Sequence, residues 1–281
     1  RTGPGGTHVA SARQEGRHGA LPGGGSRRRS RSRRLGPALS ALAVLLLGLG
    51  APPAGAASLP NGGSVTGVLL PDAVDVHTIE IGAGETVWLS LADASVDGSL
   101  TPGLRLYGPG GALVAADELD ADVARVPYRA AVGGTHRVEA FGASGTDGAY
   151  ELHYAKAPGA NERGALPNGG SITGALPPGD LESATVTLAP GHRLWLSLVD
   201  ESSDGGLSPG LYLYGPDGAR VAADELDGSV ARVGYGAGAA GTYTVIGLGN
   251  GGSSGAYRLH YARAPGAREG GTLENGVPAP G

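Results

Sequence analysis

The 281-residue chain has no cysteine and no methionine, and it is poor in aromatics, with two Trp, ten Tyr and one Phe. Without cysteine there are no disulfide staples and no thiolate-held metals, so each folded part must be held by its apolar core. No HExxH, G-x-S-x-G, Walker or dinucleotide-binding signature occurs, and the sequence therefore reads as non-enzymatic. Amphipathic helical stripes are absent too. No apolar run approaches the about 20 residues that cross a bilayer, so no stable membrane span is expected in the mature protein. An arginine at position 1 and the lack of Met fit a piece of a longer protein, which leaves room for a catalytic domain outside these residues.

What is present begins with a basic leader. The first 34 residues hold nine Arg and one acidic residue, Glu15, among Gly and Ser. Such a segment buries too little apolar surface to order itself, and residues 1–35 are expected to be disordered. Residues 36–57 follow as an apolar run from Ala38 to Leu49, then Pro52, Pro53 and Ala54-Gly55-Ala56-Ala57. A basic region, a short apolar stretch and an A-x-A site describe a secretory signal peptide cleaved near Ala56, hence a secreted, extracellular or cell-surface protein. From Ala57 onward there are 12 basic and 25 acidic residues, a formal charge of −13. That balance argues against nucleic acid as a partner and suits solubility outside the cell.

The rest of the chain is written twice. Shifted by 107 positions, Leu59 to Ala160 aligns without a gap to Leu166 to Ala267, and 59 of 102 aligned residues are identical. The period far exceeds the ~20 to 50 residues of a solenoid unit, so each copy is expected to be a domain with its own core. The expected domains span 58–160 and 166–267, joined by a Pro/Gly linker around 161–165. At the same shift Leu273, Asn275 and Gly276 repeat Leu166, Asn168 and Gly169, so 268–281 reads as a linker and the start of a third copy.

Within each copy, apolar residues alternate over short stretches bounded by Gly and Pro, which indicates an all-β fold. His77, Ile79 and Ile81 share one parity, as do Val87, Leu89 and Leu91, then Leu104 and Leu106, and finally Tyr150, Leu152 and Tyr154. Their counterparts 107 residues later do the same. These faces are expected to form the core. Gly108-Pro109-Gly110-Gly111 and Gly215-Pro216-Asp217-Gly218 are turns, in which Pro presets φ and Gly accepts a positive one. About eight strands per copy point to two tandem antiparallel β-sandwiches of jelly-roll-like form.

Several of these residues together resemble the bacterial pre-peptidase C-terminal domain family. They are Leu59-Pro60-Asn61-Gly62 at the opening, Asp75 ahead of the second strand, and Ala83-Gly84-Glu85-Thr86 leading into Val87-Trp88-Leu89-Ser90-Leu91. Leu104-Arg105-Leu106-Tyr107-Gly108-Pro109, Gly241-Thr242-Tyr243-Thr244-Val245 and Gly148-Ala149-Tyr150-Glu151-Leu152 continue the likeness. The chain departs from the family pattern at His77 and Ala184, where an aromatic is usual, at Glu182 in place of the aspartate, and at Pro102-Gly103-Leu104, where a pair of acids is often found. The resemblance implies a jelly-roll-like sandwich. It also implies a non-catalytic accessory role on secreted peptidases and surface proteins, sometimes with calcium-assisted binding of polymers such as collagen.

Two sets of residues are candidates for a site. Trp88 and Trp195 lie on the parity opposite the core, as do Tyr107, Tyr212 and Tyr214 in the Leu-rich strand. Such aromatics could form a flat platform for an extracellular polymer, polysaccharide or protein, or they could pack against the neighbouring copy. Acidic clusters also repeat: Asp93 with Asp97, matched by Asp200 and Asp204, and Asp117 with Asp120, matched by Asp224 and Asp227. Carboxylates in glycine-bounded loops supply the oxygens that calcium takes, and Ca2+ is the one cofactor the sequence suggests; the alternative is a solvated acidic loop. His153 and His260 repeat on the outward parity with no repeated acid beside them, so they are expected to be solvated. The functional expectation is a secreted binding, adhesion or spacer module. The alternatives are accessory domains of a peptidase whose catalytic domain lies elsewhere, and a surface-layer or stalk subunit.

Overall fold

Alternation at period two sends every second side chain to one face, and a chain with no helical stripe can bury that face only by stacking sheets. The computed structural model, which describes residues 56–118, 122–226 and 228–266, has this architecture. The expected basic leader, the apolar export run and the start of a third copy lie outside the described residues. The first copy forms β1 (Ala57–Ser58), β2 (Gly63–Leu69), β3 (Val74–Ile81), β4 (Thr86–Asp93), β5 (Pro102–Tyr107), β6 (Leu113–Asp117), β7 (Val123–Arg129), β8 (Gly134–Gly142) and β9 (Gly148–Ala157). The second forms β10 (Gly170–Leu176), β11 (Glu182–Leu188), β12 (Arg193–Asp200), β13 (Pro209–Tyr214), β14 (Arg220–Asp224), β15 (Val230–Gly236), β16 (Gly241–Gly249) and β17 (Gly255–Ala264).

Among the described residues these strands make four sheets. The first copy has β1-β3-β8-β5-β6 and β2-β9-β4-β7; the second has β11-β16-β13-β14 and β10-β17-β12-β15. All pairings between strands are antiparallel except the short β1–β3 ladder. Each pair of sheets closes over its own core. Ile79, Leu89, Leu104, Val138 and Leu152 lie in the first core, and Val186, Leu196, Leu211, Val245 and Leu259 in the second. These are the parities expected from the sequence.

The changes from Asp75 to Glu182 and from His77 to Ala184 between the copies have a local explanation. Tyr150 donates to Asp75 through its hydroxyl at 2.8 Å, with His77 Nε2 3.3 Å away, while in the second copy Tyr257 hydrogen-bonds Glu182 instead. The longer Glu182 fills the same role where Ala184 has removed the imidazole. The tyrosine ring lies flat on the opening strand: a Cβ at Gly67 or Gly174 would come within 2.6 or 2.8 Å of it. Glycine is therefore required there in both copies.

The copies differ in what covers their outer faces. β4 is buried along seven consecutive residues, whereas its counterpart β12 alternates between exposed and buried over its first four. β13 and β16 are buried on both faces, whereas β5 and β8 keep partly open positions on theirs. A sheet loses its alternation only when a second layer covers it. The outer face of β2-β9-β4-β7 is covered by the outer face of β11-β16-β13-β14, so the two sandwiches stack through one sheet of each.

Candidate functional site

The stacked sheets share a third apolar cluster: Trp88, Ala155 and Ala157 from the first sandwich, Ala160 from the connection, and Leu181, Tyr212, Tyr214, Ile246 and Leu248 from the second. Trp88 keeps only 6% of its surface exposed. Its Nε1 donates to the Tyr214 hydroxyl at 2.5 Å, and its ring centroid lies 4.7 Å from that of Tyr212 at 55°. This tilted arrangement sets the edge of one ring toward the face of the other, as aromatic quadrupoles prefer. Burial pushes both tyrosine hydroxyls up to about 12, so they stay neutral at any physiological pH. Three of the five aromatics proposed as a ligand platform are therefore held between the sandwiches and cannot reach a polymer unless the sandwiches part.

Polar contacts set the register of this interface. Thr86 donates through Oγ1 to the Gly218 carbonyl at 2.7 Å, and the Gly159 N–H donates to Thr244 Oγ1 at 3.3 Å. Gly218, at φ +77°, brings its turn so close that a Cβ would sit 2.7 Å from the Gly84 oxygen and 2.8 Å from the Ala157 oxygen. The connection is itself stitched to β11: the Arg163 N–H donates to Ser183 O, Leu166 N–H to Thr185 O, and Thr185 N–H to Gly164 O. Arg163 also pairs with the buried Glu182 at 2.8 Å. A linker that ends in ladder hydrogen bonds acts as a strap rather than a flexible tether.

A cleft of about 240 Å³ lies beside the interface, lined in part by Ser64, Glu151, His153, Glu162 and Asp180. His153 does face outward from its own core, but Asp180 of the second sandwich approaches it, with Nδ1 3.3 Å from Oδ1. His153 is thus a buried junction residue and not a solvated one, while its counterpart His260 is exposed. Glu162 is pushed up to about 7 by partial burial and by the nearby Glu182 and Asp180. Of the serines beside this pair, Ser64 donates its hydroxyl to Glu151 at 2.8 Å, and Ser90 is fully buried.

The acidic loops use their carboxylates on their own backbone. Asp93 accepts from the Ser95 N–H and Asp200 from the Ser202 N–H, both at 2.7 Å. Asp117 accepts from Arg125 N–H and Asp224 from Arg232 N–H, again both at 2.7 Å. Asp204 accepts from Gly206 N–H at 3.1 Å, and Asp97 is exposed at a turn. Asp120 and Asp227 lie outside the described residues. Among the described residues no three His, Asp or Glu side chains converge on a point that would hold a metal ion.

The two ends of the stack are unlike. On the first sandwich, the face equivalent to that of Tyr212 and Tyr214 carries Arg105 and Tyr107. There Arg105 lies 4.3 Å over the Phe141 ring and 2.6 Å from Glu118, Arg137 lies 3.8 Å over Tyr107, and Tyr107 donates to Glu139 at 3.0 Å. These charges satisfy one another at the surface. On the second sandwich, Trp195 is 51% exposed on the open face of β12. The sequence did carry a signal for this difference: Arg105, Glu139 and Phe141 become Tyr212, Ile246 and Leu248 in the copy whose face is covered.

The fold and this interface define a tandem antiparallel β-sandwich protein with a built inter-domain contact. No family model matches the chain, and no curated protein sequence matches it. Solved structures with some similarity include the pre-peptidase C-terminal domain of a collagenase from Bacillus anthracis, at 19% identity over 35% of this chain and 92% of that one, with a TM-score of 0.31. The CUB1-EGF-CUB2 domains of rat MASP-1 match at 10% identity over 73% of this chain and 99% of that one, with a TM-score of 0.21. A tail fibre protein from a phage of E. coli matches at 11% identity over 79% of this chain and 43% of that one, with a TM-score of 0.26.

Proposed function

We propose that this chain is an exported, non-catalytic structural module in which tandem sandwiches are stacked into a stiff spacer or stalk. The observation that carries this reading is the burial of Trp88 under Tyr212 and Tyr214, because an aromatic core shared between two domains fixes their relative position where a flexible linker would not. The hydrogen-bonded connection from Arg163 to Leu166 supports the same reading. Export rests on the basic leader, the apolar run and the small-residue site near Ala56. No helix among the described residues is long and apolar enough to cross a membrane.

Small-angle scattering together with NMR relaxation on the folded chain tests this. A stiff spacer tumbles as one elongated body, with a single correlation time for both sandwiches. Two shorter, independent correlation times would show beads on a string and sink the reading.

A second reading is favoured by one observation, the half-exposed Trp195. An open indole opposite Gly234 offers a stacking surface for an extracellular polysaccharide or a protein such as collagen, either in an adhesion protein or in the accessory region of a secreted peptidase. Glycan-array and collagen-fibril binding that disappears in Trp195→Ala would support it.

A further inference from the structure

We propose that the open face of β10-β17-β12-β15 is a docking surface for a further sandwich of this same repeat, held as the second sandwich is held on the first. The inference rests on the stacked-spacer reading and extends it to the surface that reading leaves free.

The covered face and the open face are nearly the same surface. Trp88, Ser90, Arg125, His153, Ala155 and Ala157 line the one, and Trp195, Ser197, Arg232, His260, Ala262 and Ala264 occupy the same places on the other. All six are identical in type, although outward positions of a free sheet tolerate substitution. On the first sandwich Trp88, Ser90, His153, Ala155 and Ala157 are buried; on the second, none of their counterparts is. Trp88 goes from 6% exposed to 51% at Trp195. Among the described residues, His260 meets no carboxylate of the kind that Asp180 of the following sandwich brings to His153. The face keeps these six receiving residues, while Thr86, Arg129 and Glu151 of the covered face are replaced by Arg193, Gly236 and Arg258.

The occupant can be specified from the interface already present. It must offer two tyrosines and two aliphatic residues where Tyr212, Tyr214, Ile246 and Leu248 stand. The first sandwich of a second chain does not qualify, because its equivalent face would bury Arg105 and Glu139, whose partners are already satisfied at the surface. Burying charges of that kind without new partners is strongly unfavourable. The corresponding face of the second sandwich is already covered. What remains is a further repeat of the second type, and the sequence after the second sandwich resumes the repeat in register at Leu273, Asn275 and Gly276. The charged first face then acts as a cap, as terminal units of stacked-repeat proteins do.

The test extends the chain after Ala267 by a copy of residues 161–267 and measures hydroxyl-radical oxidation of each tryptophan by mass spectrometry. In the two-repeat chain Trp88 should be oxidised roughly tenfold more slowly than Trp195. In the extended chain Trp195 should slow to the rate of Trp88, while the new repeat's own Trp stays fast. An extension by residues 54–160, which carries the charged face, should leave Trp195 fast, and adding Arg105→Tyr and Glu139→Ile within that extension should protect it. Circular dichroism per residue checks that each extension folds. If a folded extension of the second type leaves Trp195 as reactive as before, or if the charged extension protects it equally, the docking inference is wrong while the spacer reading stands. Equal oxidation of Trp88 and Trp195 in the two-repeat chain would overturn both. Protection of Trp195 that instead grows with the concentration of the two-repeat chain would assign the face to self-association and overturn the docking inference alone.

Discussion

Replacing Trp88 with alanine should weaken the protein far more than replacing Trp195, although both sit in the same four residues, Trp-Leu-Ser-Leu, of equivalent strands. An indole side chain buries roughly 150–250 Å², which at about 25 cal/mol per Å² is worth about 4–6 kcal/mol when fully covered. Trp→Ala in a packed core is accordingly expected to lose about 3–5 kcal/mol. Trp88, at 6% exposed, falls in that range. Its loss also takes away the hydrogen bond to Tyr214, leaving a buried hydroxyl without its donor. Trp195, at 51% exposed, has about half its area in contact and should lose at most about 2 kcal/mol. At about 2–4 °C per kcal/mol for a folded region of this size, Tm should fall by about 6–20 °C in W88A and by about 8 °C or less in W195A. Urea unfolding followed by circular dichroism should show one transition for the natural chain. In W88A it should show two, because the lost contact is the one that couples the sandwiches. Equal losses in the two variants, or a W88A protein that still unfolds in one step with unchanged Tm, would refute the shared core.

A second matched pair lies in the turns. Gly111 and Gly218 are the same repeat position at φ +78° and +77°, but a Cβ meets nothing within 4 Å at Gly111 and two carbonyl oxygens of the first sandwich at Gly218. Gly111→Ala should lose about 1 kcal/mol from backbone strain alone, and Gly218→Ala a further ~1–3 kcal/mol from overpacking, read from denaturation midpoints at constant m. Glu162 gives a pH test. Its carboxyl is raised to about 7, so the folded state binds the proton more tightly than the unfolded one. The favourable contribution is present below the ordinary carboxylate pKa of 4.5 and is lost as pH rises toward 7. Because Glu162 remains in contact with solvent, the slope is shallow, and Glu162→Gln should remove it from a plot of Tm against pH. The repeated carboxylates of Asp93, Asp200, Asp117 and Asp224 are taken up by backbone N–H groups. Adding millimolar calcium should therefore shift Tm by less than about 1–2 °C, on the order of a surface ionic-strength effect. A saturable rise of several degrees would instead indicate a calcium site.

Much of the fold is legible in the order of residues. The 107-residue shift, the Gly and Pro punctuation and the alternating apolar residues specify two sandwiches and the inner face of most strands, because side-chain direction in a strand has a period of two whatever the surroundings. Tyr150 and Tyr257, Leu89 and Leu196, and Leu104 and Leu211 all lie where alternation puts them. Alternation cannot say whether an outer face meets water or another domain. Trp88 and Trp195 share the residues Trp-Leu-Ser-Leu and differ in whether a second sandwich covers them, and His153 gains its carboxylate from Asp180, which comes from the other sandwich. Pairing Trp88 with Tyr214, 126 residues away, depends on the path of the connection and on the packing of two completed sheets. Which aromatics are covered and which stay open is therefore a property of the assembled pair of sandwiches, since the burial of each outer face is set by a surface that its own strand does not encode.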